Sequence, residues 1–370
     1  MKYLLSEKSL LSNFKGNLGE DDYKEPLSFL LDSLNQEAKL NLIGKFALRY
    51  QISNHLKIRS KIYEFINKKN LEKPARPVFV IGLPRSGTTY LFNLLSLDQG
   101  HRSPLVWEMF FPFPLVHQGT SQLKRRIRKT NLLMAFQRLL MPDLDPVHPI
   151  QSTDPEENLL ITTFSLKSFF YSYMASVPSY EEYLKNTDHT SAFLWLSRFL
   201  QVLESSNRPE RWLLKDPTHI GHLGEILSIY PEACFIQIHR DPLESIPSIC
   251  SLTAKTRSPF TKNIDKKEIG KRTLAYWEDA LAKGEKERNK VNNSQFFDVK
   301  FDEFINQPIE QVRLIYSHLD FNFEEKTERS MINYVEEFKK EEKIKHSYGL
   351  NEFGLSEESV QNALSKYLKF

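Results

Sequence analysis

The stretch Pro77-Val78-Phe79-Val80-Ile81-Gly82-Leu83-Pro84-Arg85-Ser86-Gly87-Thr88-Thr89 limits the fold more than any other part of this 370-residue chain. Its first half is a short apolar run rich in β-branched residues, the pattern of a strand buried on both faces of a parallel sheet. A glycine-bearing loop follows at once, and a helix is expected from Thr88. In that order, loop N–H groups and the helix N-terminus converge on one point and form a seat for an anion. The Gly82-to-Gly87 spacing matches a nucleoside-triphosphate loop, but the residue after the second glycine is Thr88 and not the lysine that reaches the β- and γ-phosphates. The seat therefore suits a phosphate, while a triphosphate-cleaving enzyme would lack its main cation.

The rest of the chain supplies a frame for this unit. Apolar positions at helical spacing, such as Leu27, Leu30, Leu31 and Leu34, predict an N-terminal helical segment. Prolines and aromatics over 100–115 favour an irregular stretch or a short strand over a helix, and 122–140 reads as a helix that is basic at its start. A proline- and aspartate-rich loop over 141–155 precedes further helices over 156–207. Strands are then expected at Arg211–Leu214, Cys234–Ile238 and Phe296–Val299, separated by helices near 218–229, from Pro242 with Asp241 as N-cap, near 267–288 and near 308–319. The alternation predicts an α/β fold, a P-loop-like parallel sheet flanked by helices, with extra N-terminal and inserted helices. The expected division is an N-terminal helical segment over 1–76, an α/β domain over 77–325 with a helical insertion at 115–207, and a tail over 326–370.

Composition excludes several classes of function. With 40 % hydrophobic and 26 % charged residues the chain reads as a soluble globular protein. Its 50 Lys+Arg against 47 Asp+Glu leave a net charge of +3, too small a surplus for a protein held on nucleic acid by phosphate neutralisation. The two cysteines, Cys234 and Cys250, lack the spacing of a zinc or disulfide framework. No apolar stretch is long enough for a signal peptide or a membrane span, and a cytoplasmic protein is expected. His219 and His222 share a helix face without a third ligand at metal spacing, so no metal is expected. Lys124, Arg125, Arg126, Arg128 and Lys129 form a basic run that reads as a solvated helix face, with no role assigned.

Pro84-Arg85-Ser86-Gly87-Thr88-Thr89 resembles the 5′-phosphosulfate loop of sulfotransferases that use 3′-phosphoadenosine 5′-phosphosulfate (PAPS). The arginine in this loop resembles the branch that includes tyrosylprotein sulfotransferases and many bacterial sulfotransferase-family proteins. Two further blocks agree, Leu214-Lys215-Asp216-Pro217 and His239-Arg240-Asp241-Pro242-Leu243-Glu244-Ser245-Ile246-Pro247-Ser248. A looser likeness extends to Trp107-Glu108, to Asp154-Pro155-Glu156-Glu157 and to the tail from His346 to Leu355. The resemblance implies the sulfotransferase fold, with Arg85, Ser86, Gly87, Thr88 and Thr89 on the 5′-phosphate and Arg240 and Ser248 on the 3′-phosphate. Tyr90 sits where many relatives carry an aromatic against adenine, and a tyrosine in the first turn of a packed helix can equally be core. The arginine-lysine-glycine segment with which cytosolic aryl sulfotransferases grip the 3′-phosphate has no match here. Any C-terminal cover of the cofactor site would fall to Lys345, His346 or Tyr348.

Sulfuryl transfer from PAPS to a hydroxyl is an in-line displacement that needs no metal and rests on positioning and on cations aimed at the leaving oxygen. Arg85 and Lys215 are the candidates for that electrostatic role. Glu108, similar in position to the glutamate base of the tyrosylprotein branch, is the candidate general base, with His148 and Glu157 as fallback bases or acceptor-binding groups. The acceptor is expected to be a small molecule, a glycan or a lipid hydroxyl, and the sequence leaves the oligomeric state open. Two other functions stand beside this one: a nucleotide-dependent kinase or NTPase of P-loop architecture, and a non-catalytic nucleotide-binding protein.

Overall fold

The computed structural model describes residues 4–12, 14–116, 119–142, 150–340 and 349–367. These form two compact units, one of residues 1–74, 104–208 and 252–264, the other of 75–103, 209–251 and 265–370. The chain thus enters the first unit three times, and the expected N-terminal segment and insertion lie together in it. His148, Lys345, His346 and Tyr348 lie outside the described residues.

The second unit is built on a parallel sheet of five strands, β1 (Pro77–Gly82), β2 (His101–Arg102), β3 (Arg211–Lys215), β4 (Cys234–His239) and β5 (Phe296–Lys300), in the order β2-β3-β1-β4-β5. β1 is central and buried throughout, which is why it reads as an unbroken apolar run. Its period of two divides its side chains between two layers. Val78 and Val80 join the core made with Leu91, Leu94 and Leu95 of the helix Thr88–Leu95 and with Val312 and Ile315 of the helix Pro308–His318. On the opposite face Phe79 stacks on Phe235 with ring centroids 5.7 Å apart and meets His219 edge-on at 5.5 Å. Burial on that face pushes the His219 imidazole down to about 3, so it is held neutral.

The first unit is helical. At its centre the buried guanidinium of Arg59 donates to the carbonyls of Leu18 at 2.7 Å, Glu20 at 2.8 Å and Phe164 at 3.0 Å, and it pairs with Asp22. It also lies 4.0 Å from the Trp195 ring centroid, so a single cation ties the N-terminal residues to the helices Leu42–Ile66 and Thr190–Glu204. The short strand expected at 100–115 is β2, but a helix disfavoured there by the prolines, Val106–Phe110, also forms, because Pro104 and Pro112 lie outside it and Glu108 caps its start at the Leu105 N–H. The helix expected over 122–140 spans Ser121–Leu140, with Thr120 Oγ1 accepting from the Leu123 N–H at 3.3 Å. One residue of its basic run departs from the solvated face expected for it. Arg126 is buried and donates to the carbonyl of Phe111 at 2.8 Å and to that of Pro114, where the chain folds back under the helix.

Candidate active site

The strand order changes direction at β1, with β2 and β3 on one side and β4 and β5 on the other. In open parallel sheets this switch opens a crevice at the carboxyl ends of the strands, and the loop after β1 sits at it. The loop has an unusual backbone. Gly82 has φ +143 and Gly87 φ +93, and a Cβ on Gly87 would come within 2.9 Å of the Phe301 ring. Arg85 itself has φ 70, a left-handed conformation that costs a non-glycine residue about 1–2 kcal/mol. Ser86 is fully buried, with its hydroxyl donating to the Leu83 carbonyl at 2.6 Å, and Thr88 is buried at the helix start. The hydroxyl thereby closes the turn that aims the following N–H groups along the axis of the helix Thr88–Leu95.

Two cations from neighbouring strands are bonded onto this loop. Lys215, the last residue of β3 and only 1 % exposed, donates from Nζ to Thr89 Oγ1 at 3.1 Å, with the Phe92 ring 5.5 Å away. Arg240, which follows β4, donates from Nη1 to the Arg85 carbonyl at 2.7 Å, pairs with Glu244 and lies 4.2 Å from the Phe301 ring centroid. Its Nε is buried with no acceptor among the described residues. Arg240 is set by what precedes it: His239 Nε2 lies 2.6 Å from Asp298 Oδ1 on β5, and Arg288 donates to the same carboxylate. Burial raises the Asp298 carboxyl, but the hydrogen bonds from Arg288 and His239 outweigh it and hold it at about 2. Asp241 Oδ1 then accepts from the Leu243 N–H at 2.8 Å, and the helix Pro242–Arg257 runs on through Pro247. Ser248 is half-buried in its second turn, and Ser245, fully buried in its first, has a hydroxyl without a partner among the described residues.

The sequence motifs that share no chain segment are therefore joined at one loop. Phe301 was not singled out by sequence, although it supports both Gly87 and Arg240; its signal is its place just after the carboxyl end of β5. Tyr90 lies in the core, its ring stacked on Phe338 at 3.9 Å with Tyr334 at 6.0 Å, and burial pushes its hydroxyl up to about 12.

Glu108 and Glu157 belong to the first unit, on segments that pair with each other. Leu105 bridges Pro155, the Val106 N–H donates to the Asp154 carbonyl at 3.1 Å, and the Trp107 N–H to that of Ser152 at 3.0 Å. Glu108 is buried, and its Oε2 accepts from the Leu105 N–H at 2.9 Å, the reciprocal half of a helix cap. Glu157 is half-buried. Among the described residues, no cluster of three or more His, Cys, Asp and Glu could hold a metal ion.

The site is thus framed by a parallel sheet with a glycine-bearing loop at its switch point, onto which a cation from each flanking strand is bonded, the frame of an open α/β protein. The chain belongs to the sulfotransferase family, whose model matches residues 77–325. The omega-hydroxy-beta-dihydromenaquinone-9 sulfotransferase Stf3 of Mycobacterium bovis is 27 % identical over 258 residues, 66 % of this chain and 62 % of that protein. The Mycobacterium tuberculosis protein of the same name matches equally, and this chain thus spans 62 % of the length of those curated relatives. Among solved structures, sulfotransferase STF1 from Mycobacterium tuberculosis superposes with a TM-score of 0.81 at 26 % identity over 98 % of this chain and 97 % of that one. Sulfotransferase STF9 from Mycobacterium avium gives 0.83 at 24 % identity over 99 % and 95 %, a likeness of fold.

Proposed function

We propose that this protein transfers the sulfuryl group of PAPS to a hydroxyl carried on an apolar small molecule or lipid. The observation that carries the reading is the pair of cations, Lys215 and Arg240, bonded onto a phosphate loop whose triphosphate lysine is replaced by Thr88. One cation lies on each side of β1, as a ligand with two separated phosphates requires. The buried Arg240 Nε, lacking an acceptor among the described residues, and the glycine cradle at Gly82 and Gly87 fit an adenosine bisphosphate. The apolar acceptor is suggested by the name of the mycobacterial relative, an omega-hydroxylated menaquinone sulfotransferase.

When bound, PAPS supplies a sulfuryl group whose departure leaves the 5′-phosphate of adenosine 3′,5′-bisphosphate. The backbone N–H groups of Ser86 to Thr89 hold that phosphate, and the helix N-terminus behind them favours its charge. Lys215 and Arg85 balance the negative charge that grows on the leaving oxygen. Arg240 and Ser248 hold the 3′-phosphate, the arginine by its planar fork. Glu108, with Glu157 as the alternative, takes the proton from the acceptor hydroxyl as its oxygen bonds to sulfur, so the products are a sulfate ester, the bisphosphate and a protonated carboxyl.

Thermal shift with adenosine 3′,5′-bisphosphate, ATP and NAD tests the reading. The bisphosphate is expected to stabilise most, by about 2.7 kcal/mol at one hundred times its Kd. Equal or greater stabilisation by ATP would favour the kinase reading. Bisphosphate binding with PAPS left intact across a hydroxylated acceptor panel would favour a non-catalytic nucleotide binder.

A further inference from the structure

Beyond the catalytic loop, the helix Ser121–Leu140 has a surface that the reaction does not use. Its 20 residues include six Lys and Arg and no acid. The first half is anchored: Leu123, Arg126 and Thr130 are its buried residues, and Lys129 Nζ lies 4.1 Å from the Phe111 ring centroid. Beyond Thr130 the helix carries large apolar side chains into solvent, with Leu132 72 %, Phe136 58 % and Leu139 77 % exposed. Arg125, Arg128, Leu132, Phe136 and Leu139 follow each other at intervals of three or four, so they form one continuous stripe. Lys124, Arg125 and Arg128 are exposed and have no carboxylate partner among the described residues.

A core helix does not present its largest apolar groups on the outside, and a solvated helix does not carry a row of them. Cations and apolar groups in one stripe match a surface that is anionic at its face and hydrocarbon beneath. From Arg125 to Leu139 the stripe runs about 20 Å along the helix axis, enough to lie flat across several headgroups. No described helix is long and apolar enough to cross a membrane, so the attachment would be to one leaflet. We propose that the Arg125–Leu139 stripe docks the protein on an anionic lipid surface, Leu132, Phe136 and Leu139 entering the acyl boundary and Lys124, Arg125 and Arg128 meeting the headgroups. This surface lies wholly in the first unit and needs no turnover, so it stands or falls apart from the sulfotransferase reading.

Vesicle flotation of the full chain tests the proposal, using phosphatidylcholine alone and phosphatidylcholine mixed with phosphatidylglycerol. The protein is expected to float with the mixed vesicles, and raised salt should weaken the binding by screening the headgroup contacts. Leu132→Ser/Phe136→Ser/Leu139→Ser should reduce partitioning by about tenfold or more, because three buried apolar side chains are lost from the boundary. Lys124→Glu/Arg125→Glu/Arg128→Glu should abolish the preference for the anionic vesicles. All substituted residues are exposed, and an unchanged unfolding midpoint confirms that each variant folds. A second exposed apolar row, Leu42, Ile43, Phe46 and Tyr50 on the helix Leu42–Ile66, serves as the control. Phe46→Ser/Tyr50→Ser should float like the parent. The proposal is overturned if the parent does not float with either vesicle, if only the control variant loses binding, or if the first triple variant floats unchanged. It is equally overturned if the parent fails to float and elutes as a dimer that the first triple variant splits, since the stripe then joins two copies of this chain.

Discussion

Arg240 donates to the main-chain carbonyl of Arg85 at 2.7 Å, so one arginine holds the backbone of another in a conformation that it would not adopt alone. The left-handed φ of Arg85 costs about 1–2 kcal/mol, and a hydrogen bond from a charged donor is worth about 1.5–3 kcal/mol. The second offsets the first. Arg240 is then both a candidate 3′-phosphate ligand and a brace for the candidate 5′-phosphate loop, and its removal should act at both ends of a bisphosphate.

Arg240→Ala is expected to weaken adenosine 3′,5′-bisphosphate by about 10- to 100-fold, the loss of a charge-assisted contact. Adenosine 5′-monophosphate should weaken by only a few-fold, through the slackened Arg85 turn. Calorimetric titration of both nucleotides decides it: equal losses would make Arg240 a brace alone.

Lys215 is buried, and a buried cation costs solvation that a methionine of similar length does not. Lys215→Met avoids that cost but loses the bond to Thr89, so the fold should persist while single-turnover sulfate transfer falls by about 10²–10³-fold. A variant as active as the parent removes Lys215 from the chemistry; one that unfolds makes its bond to Thr89 structural.

Glu108→Gln retains an oxygen that can accept from the Leu105 N–H, so the helix cap and the fold should persist. If Glu108 is the base, transfer should fall by about 10²–10⁴-fold with little change in bisphosphate affinity. Near-parent single-turnover rates in the variant would shift the role to Glu157, tested next by Glu157→Gln.

Each unit also contains a buried neutral histidine, His55 in the first and His219 in the second, both held down at about 3 by burial. Above about pH 6.5 neither is protonated in the folded or unfolded chain, and neither affects stability. Below that pH the unfolded chain binds protons that the folded chain refuses, so stability falls as pH falls towards 3, by up to about 1.4 kcal/mol per pH unit for each histidine. Urea midpoints should decline from pH 6.5 to 4, and His219→Leu should flatten the second unit's share. A midpoint that stays level over that range would show that the histidines protonate without loss of the fold.

The parts of the site that repeat a local pattern were readable from sequence. β1, the loop and the helix Thr88–Leu95 lie within a single run, and Lys215 and Arg240 each follow a run of strand-forming residues. What needed the structure was pairing at a distance. Phe338 reaches Tyr90 from a helix far along the chain, and no periodicity announces it. Arg126 reads like its basic neighbours, yet the carbonyls of Phe111 and Pro114 draw it inward. Leu132, Phe136 and Leu139 have the spacing of a core stripe, and spacing alone cannot say which side of a helix meets a neighbour. That 1–74, 104–208 and 252–264 cluster into one unit rests on contacts between residues far apart along the chain, which no local pattern announces.

Tyr90 and Phe338 also set how much chain the loop after β1 requires. The family match ends at residue 325, where the helix Glu325–Lys340 begins, and that helix supplies Tyr334 and Phe338 to the ring directly behind the loop. Met331 and Val335 of the same helix complete that core. A fragment trimmed to the family boundary would open an apolar trough under the first turn of the helix Thr88–Leu95, and water would enter where the turn now has its backing. The shortest fragment that keeps this loop backed therefore extends past the boundary to at least Phe338.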